Sequence, residues 1–144
     1  MEPIDMNREE RSPVTVLVAE DEEGLQLLAT LTIRGMGLNV LAASNAEEAL
    51  QQWKGHEDEI HLLFTDIVMP GFLSGFDLAE TIRAERPALP TIFSSGYSGA
   101  LDQKSPALQE CVSYLPKPYR QNELTALIST MLAQGGPGVD SCAA

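Results

Sequence analysis

Four stretches of this sequence place reactive side chains directly behind short apolar runs. Glu20, Asp21 and Glu22 follow VTVLVA, and Asp66, Ile67, Val68, Met69, Pro70 and Gly71 follow IHLLFT. Ser95, Gly96 and Tyr97 follow TIFS, while Pro116, Lys117 and Pro118 follow VSYL. Each stretch has an ordinary explanation: acids favour a helix N-terminus through its dipole, Asp66 suits a turn before Pro-Gly, serine caps helices, and a loop lysine is normally solvated. One site explains all four together. Carboxylates held close raise one another's pKa unless a cation intervenes. Oxygen-only ligands select a hard cation such as Mg²⁺, with no imidazole or thiolate among them to favour zinc. An aspartate beside such a cation, a lysine and a hydroxyl is equipped for phosphoryl transfer. The aspartate is then the nucleophile, and its neighbours neutralise charge on the phosphoryl oxygens.

The four stretches meet only if the apolar runs are strands of one parallel sheet. There are five such runs: Val14–Ala19, Asn39–Ala43, Ile60–Thr65, Thr91–Ser94 and Val112–Leu115. The first and third are continuously apolar, as central strands covered on both faces are, and the second and fifth suit positions nearer the edges. Helical patterns alternate with them. Leu25, Leu28 and Leu31 form a stripe in 22–36, stopped by Gly35 and Gly37. Ser44-Asn45-Ala46-Glu47 reads as a capping box opening a helix through Trp53. A third helix runs from Phe76 to Ala84, a weaker one interrupted by Pro106 covers 100–110, and Leu124, Leu127, Ile128, Met131 and Leu132 mark the last. Strand then helix, five times over, predicts an α/β doubly wound parallel sheet with helices on both faces. Functional groups in such sheets gather beyond the carboxyl ends of the strands.

Composition sets the outer bounds. The 144 residues are 44% hydrophobic and 21% charged, enough for one core and unlike a disordered chain. Nine basic residues against 21 acidic ones give a formal charge of −12, which argues against a nucleic-acid partner. Cys111 and Cys142 lie far apart with no CxxC, supporting neither a disulfide framework nor a structural zinc site. His56 and His61 flank an acidic stretch and read as solvated surface. The first residues carry Glu2, Asp5, Glu9 and Glu10 rather than a signal-peptide core, and no apolar run approaches a membrane span. Residues 1–13 are expected to be a flexible leader, 14–133 the domain, and 134–144 a flexible Gly-rich tail of a cytoplasmic protein.

The ordered motifs VLVAEDEEG, LLFTDIVMPG, IFSSGY and YLPKPY resemble those of the response-regulator receiver domain of two-component signalling, over roughly residues 14–132. That resemblance implies a flavodoxin-like (βα)5 fold of strand order 2-1-3-4-5. It makes Asp66 the phosphoacceptor, and Glu20, Asp21, Asp66 and the backbone carbonyl of Val68 the ligands of Mg²⁺. Ser95 becomes the hydroxyl that moves toward the phosphoryl group, Lys117 the ion-pairing lysine, Tyr114 the aromatic switch, and Lys117–Pro118 a cis bond. The implied partners are a sensor histidine kinase or phosphotransfer protein and a downstream protein target. The target would read the face of the fourth helix, fifth strand and fifth helix. Such a domain is not an enzyme in the ordinary sense; it catalyses only its own phosphorylation and dephosphorylation. Departures are small. Glu20 stands where the family more often has Asp, pointing to a metal contact through water, and Tyr119 replaces the commoner Phe. The loop from Asp66 to Gly75 is one residue longer than in chemotaxis-type receivers, as in SGY-containing receivers of hybrid kinases. Val68 and Tyr97 sit where the family tunes dephosphorylation, and neither activates water, so a long-lived phosphoryl state is expected. A haloacid-dehalogenase-type hydrolase would need an acid where Val68 stands, and a nucleotide-binding unit would need glycines where AEDEEG stands. A pseudo-receiver working without phosphorylation is the remaining alternative, although such modules normally lack an acid or the lysine.

Overall fold

Runs of aliphatic and β-branched residues form five parallel strands in one sheet. They are β1 (Thr15–Ala19), β2 (Asn39–Ala43), β3 (Ile60–Asp66), β4 (Thr91–Ser95) and β5 (Val112–Pro116), ordered β2-β1-β3-β4-β5. The computed structural model describes residues 14–96 and 111–135. Within them the helices are α1 (Glu23–Gly35), α2 (Ala46–Gly55), α3 (Gly75–Glu85) and α4 (Gln121–Gly135). The flavodoxin-like doubly wound sheet and its order are therefore as expected. The expected helix over 100–110, Tyr97 and the leader lie outside the described residues. Helix α4 runs to Gly135, past the position 134 at which a flexible tail was expected.

Strand β1 is buried at all five positions because helices cover both its faces. Its side chains alternate between two cores. Leu17 and Ala19 pack with Trp53, Leu63, Leu78 and Phe93 under α2 and α3. Val16 and Val18 pack with Ile33, Phe64, Ile92 and Ile128 under α1 and α4. The order of connection reverses between β1 and β3, so their carboxyl ends lie side by side with a crevice beyond them.

Local details differ from the sequence reading. The N-cap of α2 is Asn45, not Ser44: its side chain accepts from the Glu48 backbone N–H at 2.7 Å, and Glu48 Oε1 accepts from the Ser44 N–H at 2.5 Å. Residues 44–47 and 45–48 both satisfy the capping pattern, and the second is used, which releases Glu47 from capping. Of the two cysteines, Cys111 leads into β5 at φ 60°, and Cys142 lies outside the described residues. His56 and His61 are half-buried rather than solvated, and His56 Nδ1 lies 2.9 Å from the Gln52 carbonyl oxygen.

At the amino ends of the strands, α2 and α3 are stapled to the sheet. Trp53 Nε1 donates to Glu85 Oε1 at 2.9 Å. The Arg86 guanidinium lies 5.9 Å from the Trp53 ring centre and donates to the Glu57 and Ile60 carbonyls, each at 2.8 Å. Arg83, buried, donates to the Leu89 carbonyl and to Thr91 Oγ1.

Candidate functional site

Four strands end in polar residues at one edge. Glu20 follows β1, Asp66 and Ser95 close β3 and β4, and Lys117 follows β5. Glu20 and Asp66 are buried, with 4% and 7% of their surface exposed, and Ser95 is buried as well. Asp66 is held at both carboxylate oxygens. Oδ1 accepts from the Ile67 backbone N–H at 2.9 Å, and Oδ2 accepts from Lys117 Nζ at 3.1 Å. The same ammonium lies 2.9 Å from Glu20 Oε1, so one cation spans two acids.

Asp21 is exposed at the mouth of the site, and carboxylate oxygens of Glu20, Asp21 and Asp66 lie within 4.8 Å of one another. Burial, then the charge of Glu20, pushes the Asp66 pKa up to about 6; Asp21 adds to this and Lys117 opposes it. Burial alone would lower the Lys117 pKa, but its hydrogen bonds to Glu20 and Asp66 and their charges prevail and raise it. Three crowded oxygen donors with only one ammonium between them fit a hard divalent cation, which relieves their repulsion and accepts few protein ligands. The Val68 carbonyl stands in the loop that leaves Asp66.

That loop is tightly closed. The Gly75 N–H donates to the Ile67 carbonyl at 2.8 Å, and a Cβ at Gly75 would lie 2.0 Å from the Asp66 carbonyl oxygen. Only glycine fits there. Ser74 and Asp77 then form a reciprocal capping box that starts α3. At the loop apex Gly71 takes φ +106°, and the Phe72 backbone N–H donates to Glu47 Oε2 at 3.1 Å. The Phe72 ring is 98% exposed.

The sequence-predicted residues Glu20, Asp21, Asp66 and Lys117 form one cluster. Ser95 sits beside it: its carbonyl accepts from the Lys117 backbone N–H at 3.0 Å. Tyr114 is half-buried one strand away. Its ring stacks on Phe93 at 5.7 Å and 25°, and Phe93 meets Phe76 edge-on at 4.8 Å. Burial pushes the Tyr114 phenol pKa up. The Lys117–Pro118 peptide bond is cis. Tyr119 packs edge-on against Phe64 at 5.9 Å, and its pKa is pushed up to about 12 by burial and then by Glu20.

Three residues that position the site were not foreseen. Gln26 Nε2 donates to the Glu20 carbonyl at 2.9 Å and the Ala43 carbonyl at 3.1 Å, pinning the acidic turn to the end of β2. Glu47 and Gly75 hold the loop after Asp66. Gln26 and Glu47 act across the fold, where no spacing rule reaches; the Ser74-Gly75 step was the one available signal.

Among the described residues no helix is long and apolar enough to cross a membrane. The family model for the response regulator receiver domain matches residues 16–129. The chain is 26% identical over 131 residues to the probable transcriptional regulatory protein TcrX of Mycobacterium tuberculosis, covering 91% of this chain and 55% of that protein. It spans about a quarter of the curated NtrC relatives of Bradyrhizobium and Azospirillum brasilense. Among solved structures, the receiver domain of the hybrid histidine kinase CckA superposes with a TM-score of 0.71 at 30% identity, covering 82% of this chain and 98% of that one. The response regulator TrrA of Thermotoga maritima, solved in complex with Mg²⁺-BeF, gives 0.70 at 28% identity, with the same coverage of both chains.

Proposed function

Because the chain belongs to the response regulator receiver domain family of two-component signalling, we propose that Asp66 accepts a phosphoryl group from a phosphohistidine on a sensor histidine kinase or phosphotransfer protein. The observation that carries this reading is the convergence of Asp66, Glu20, Asp21 and Lys117 on one strand edge, with each Asp66 oxygen already held. A carboxylate oxygen of Asp66 attacks the phosphorus. The bond between phosphorus and the imidazole nitrogen breaks as the new O–P bond forms, and the electron pair leaves with the histidine. With its pKa at about 6, Asp66 is mostly ionised, and therefore nucleophilic, at neutral pH.

Glu20, Asp21, Asp66 and the Val68 carbonyl would hold Mg²⁺, which supplies positive charge against the phosphoryl oxygens. That TrrA, of the same fold, is solved in complex with Mg²⁺-BeF supports a Mg²⁺ site here. Lys117 Nζ, released from one carboxylate, pairs with a phosphoryl oxygen. The Ser95 hydroxyl donates to another, and the Tyr114 ring turns inward behind it. The surface of β5 and α4 is thereby reshaped for a downstream protein, in a two-state switch biased by charge. Val68 carries no group that activates water, so the phosphoryl state is long-lived.

The test is incubation with a small phosphodonor such as acetyl phosphate in Mg²⁺, read by intact mass. The wild-type chain should gain one phosphoryl group and Asp66→Asn none. Equal labelling of both, or of neither, removes the proposal.

A further inference from the structure

Helix α2 begins with two adjacent glutamates, and they do different things. Glu48 completes the cap, its carboxylate accepting from the Ser44 N–H. Glu47, left over from that task, reaches 25 positions along the chain to the loop after β3. There Oε2 accepts from the Phe72 backbone N–H at 3.1 Å. The neighbouring Gly71 packs so close that a Cβ on it would lie 2.8 Å from Glu47 Oε1, at a φ of +106° that side chains rarely adopt. Carboxylate and loop backbone are thus fitted to one another at two successive residues. The base of the same loop is closed independently by Gly75 against the Asp66 and Ile67 carbonyls. A loop pinned only at its base leaves residues 68–73 several conformations; a second attachment at its apex removes them.

We propose that Glu47 is a positioning residue for the phosphoacceptor site, a latch that fixes the Asp66–Gly75 loop in the shape in which the Val68 carbonyl faces the cation. The inference rests on the reading of Glu20, Asp21, Asp66 and Val68 as ligands, and it adds a residue with no contact to the cation. A rival explanation of Glu47 is that a first-turn acid stabilises α2 through the helix dipole, an effect that depends on its charge. The latch depends on an acceptor oxygen, which glutamine also has.

Three proteins decide the matter: wild type, Glu47→Ala and Glu47→Gln. Hydrogen exchange at the Phe72 amide and Mg²⁺ affinity by calorimetry are measured in each. Loss of one hydrogen bond of ordinary strength predicts roughly tenfold faster exchange at Phe72 and about fivefold weaker Mg²⁺ binding in Glu47→Ala. Glu47→Gln should stay close to wild type in both. Unchanged exchange at Phe72 in Glu47→Ala overturns the latch, and so does a Gln variant that behaves like Ala. Faster exchange with undiminished Mg²⁺ affinity overturns the link to the cation site. If the wild-type chain itself binds no Mg²⁺, the ligand reading falls, while Phe72 exchange still tests the latch.

Discussion

Both edges of the sheet hold buried or half-buried cations, and they are partnered in opposite ways. At the amino edge, Arg86 and Arg83 donate to the carbonyls of Glu57, Ile60 and Leu89, fixed backbone dipoles that can go nowhere else. At the carboxyl edge, Lys117 lies between two carboxylates that also crowd a third. A guanidinium fork on rigid carbonyls is a fastening. A compact ammonium shared by competing acids is exchangeable: its partners can trade it for another cation, and it can move to another anion. The same physical need, satisfying a desolvated charge, therefore produces a fixed fastening at one end and an exchangeable pairing at the other.

The sharpest way to break this comparison is to remove the exchangeable cation. Lys117→Met should lower labelling by acetyl phosphate on the order of a hundredfold, the cost of deleting one charge-stabilising donor. Mg²⁺ affinity should hold or tighten, because a competitor for the same acids is gone; calorimetry that shows Mg²⁺ binding lost would mean the lysine builds the site rather than serving it. The counterpart is Arg86→Ala, which strips a partner from two carbonyls and should cost about 2 kcal/mol in urea unfolding. Its labelling rate per folded molecule should not change, and a large drop would erase the distinction between the two edges.

The smallest effect is a matter of pH. In metal-free protein the Asp66 pKa is raised from 3.8 to about 6, so the folded state holds this proton more tightly than the unfolded one. Its contribution to stability is complete below about pH 4 and is lost as pH rises through about 6. Asp66→Asn should therefore stabilise the metal-free fold by up to about 2 kcal/mol near neutral pH and hardly at all near pH 4. Equal effects at both pH values would show that Asp66 is not under strain, and added Mg²⁺ should shrink the difference in the wild type's disfavour.

The sequence showed most of the carboxyl edge and little of what tunes it. The continuously apolar pattern of VTVLVA and IHLLFT identified β1 and β3 as central, and with that the positions of Glu20 and Asp66 followed from the strand-end rule. Strand ends extended only a residue past the apolar runs, since Asp66, Ser95 and Pro116 still pair with their neighbours. What was not visible is the set of contacts between turns. Ser44-x-x-Glu47 and Asn45-x-x-Glu48 both fit the capping pattern, and the contact that Glu47 makes instead is with Phe72 in a distant loop. Gln26 reads as one more polar position on α1 until the end of β2 is seen beside it. The arginine fastening is equally invisible, because Arg86 and Arg83 reach main-chain carbonyls, which every residue has.

The missing space at Gly75 has a consequence for how such a domain can be altered. With no room for even a methyl group beside the Asp66 carbonyl, the stem of the loop is dictated by the chemistry and cannot be edited. At its apex Pro70, Gly71 and Phe72 are exposed, and Phe72 is the most exposed large apolar side chain among the described residues. The two parts therefore tolerate different changes: the stem admits no added atom, whereas at the apex the Phe72 ring touches solvent while its backbone N–H is held by Glu47. An engineer can exchange that ring for another side chain and leave the loop backbone in its original seat.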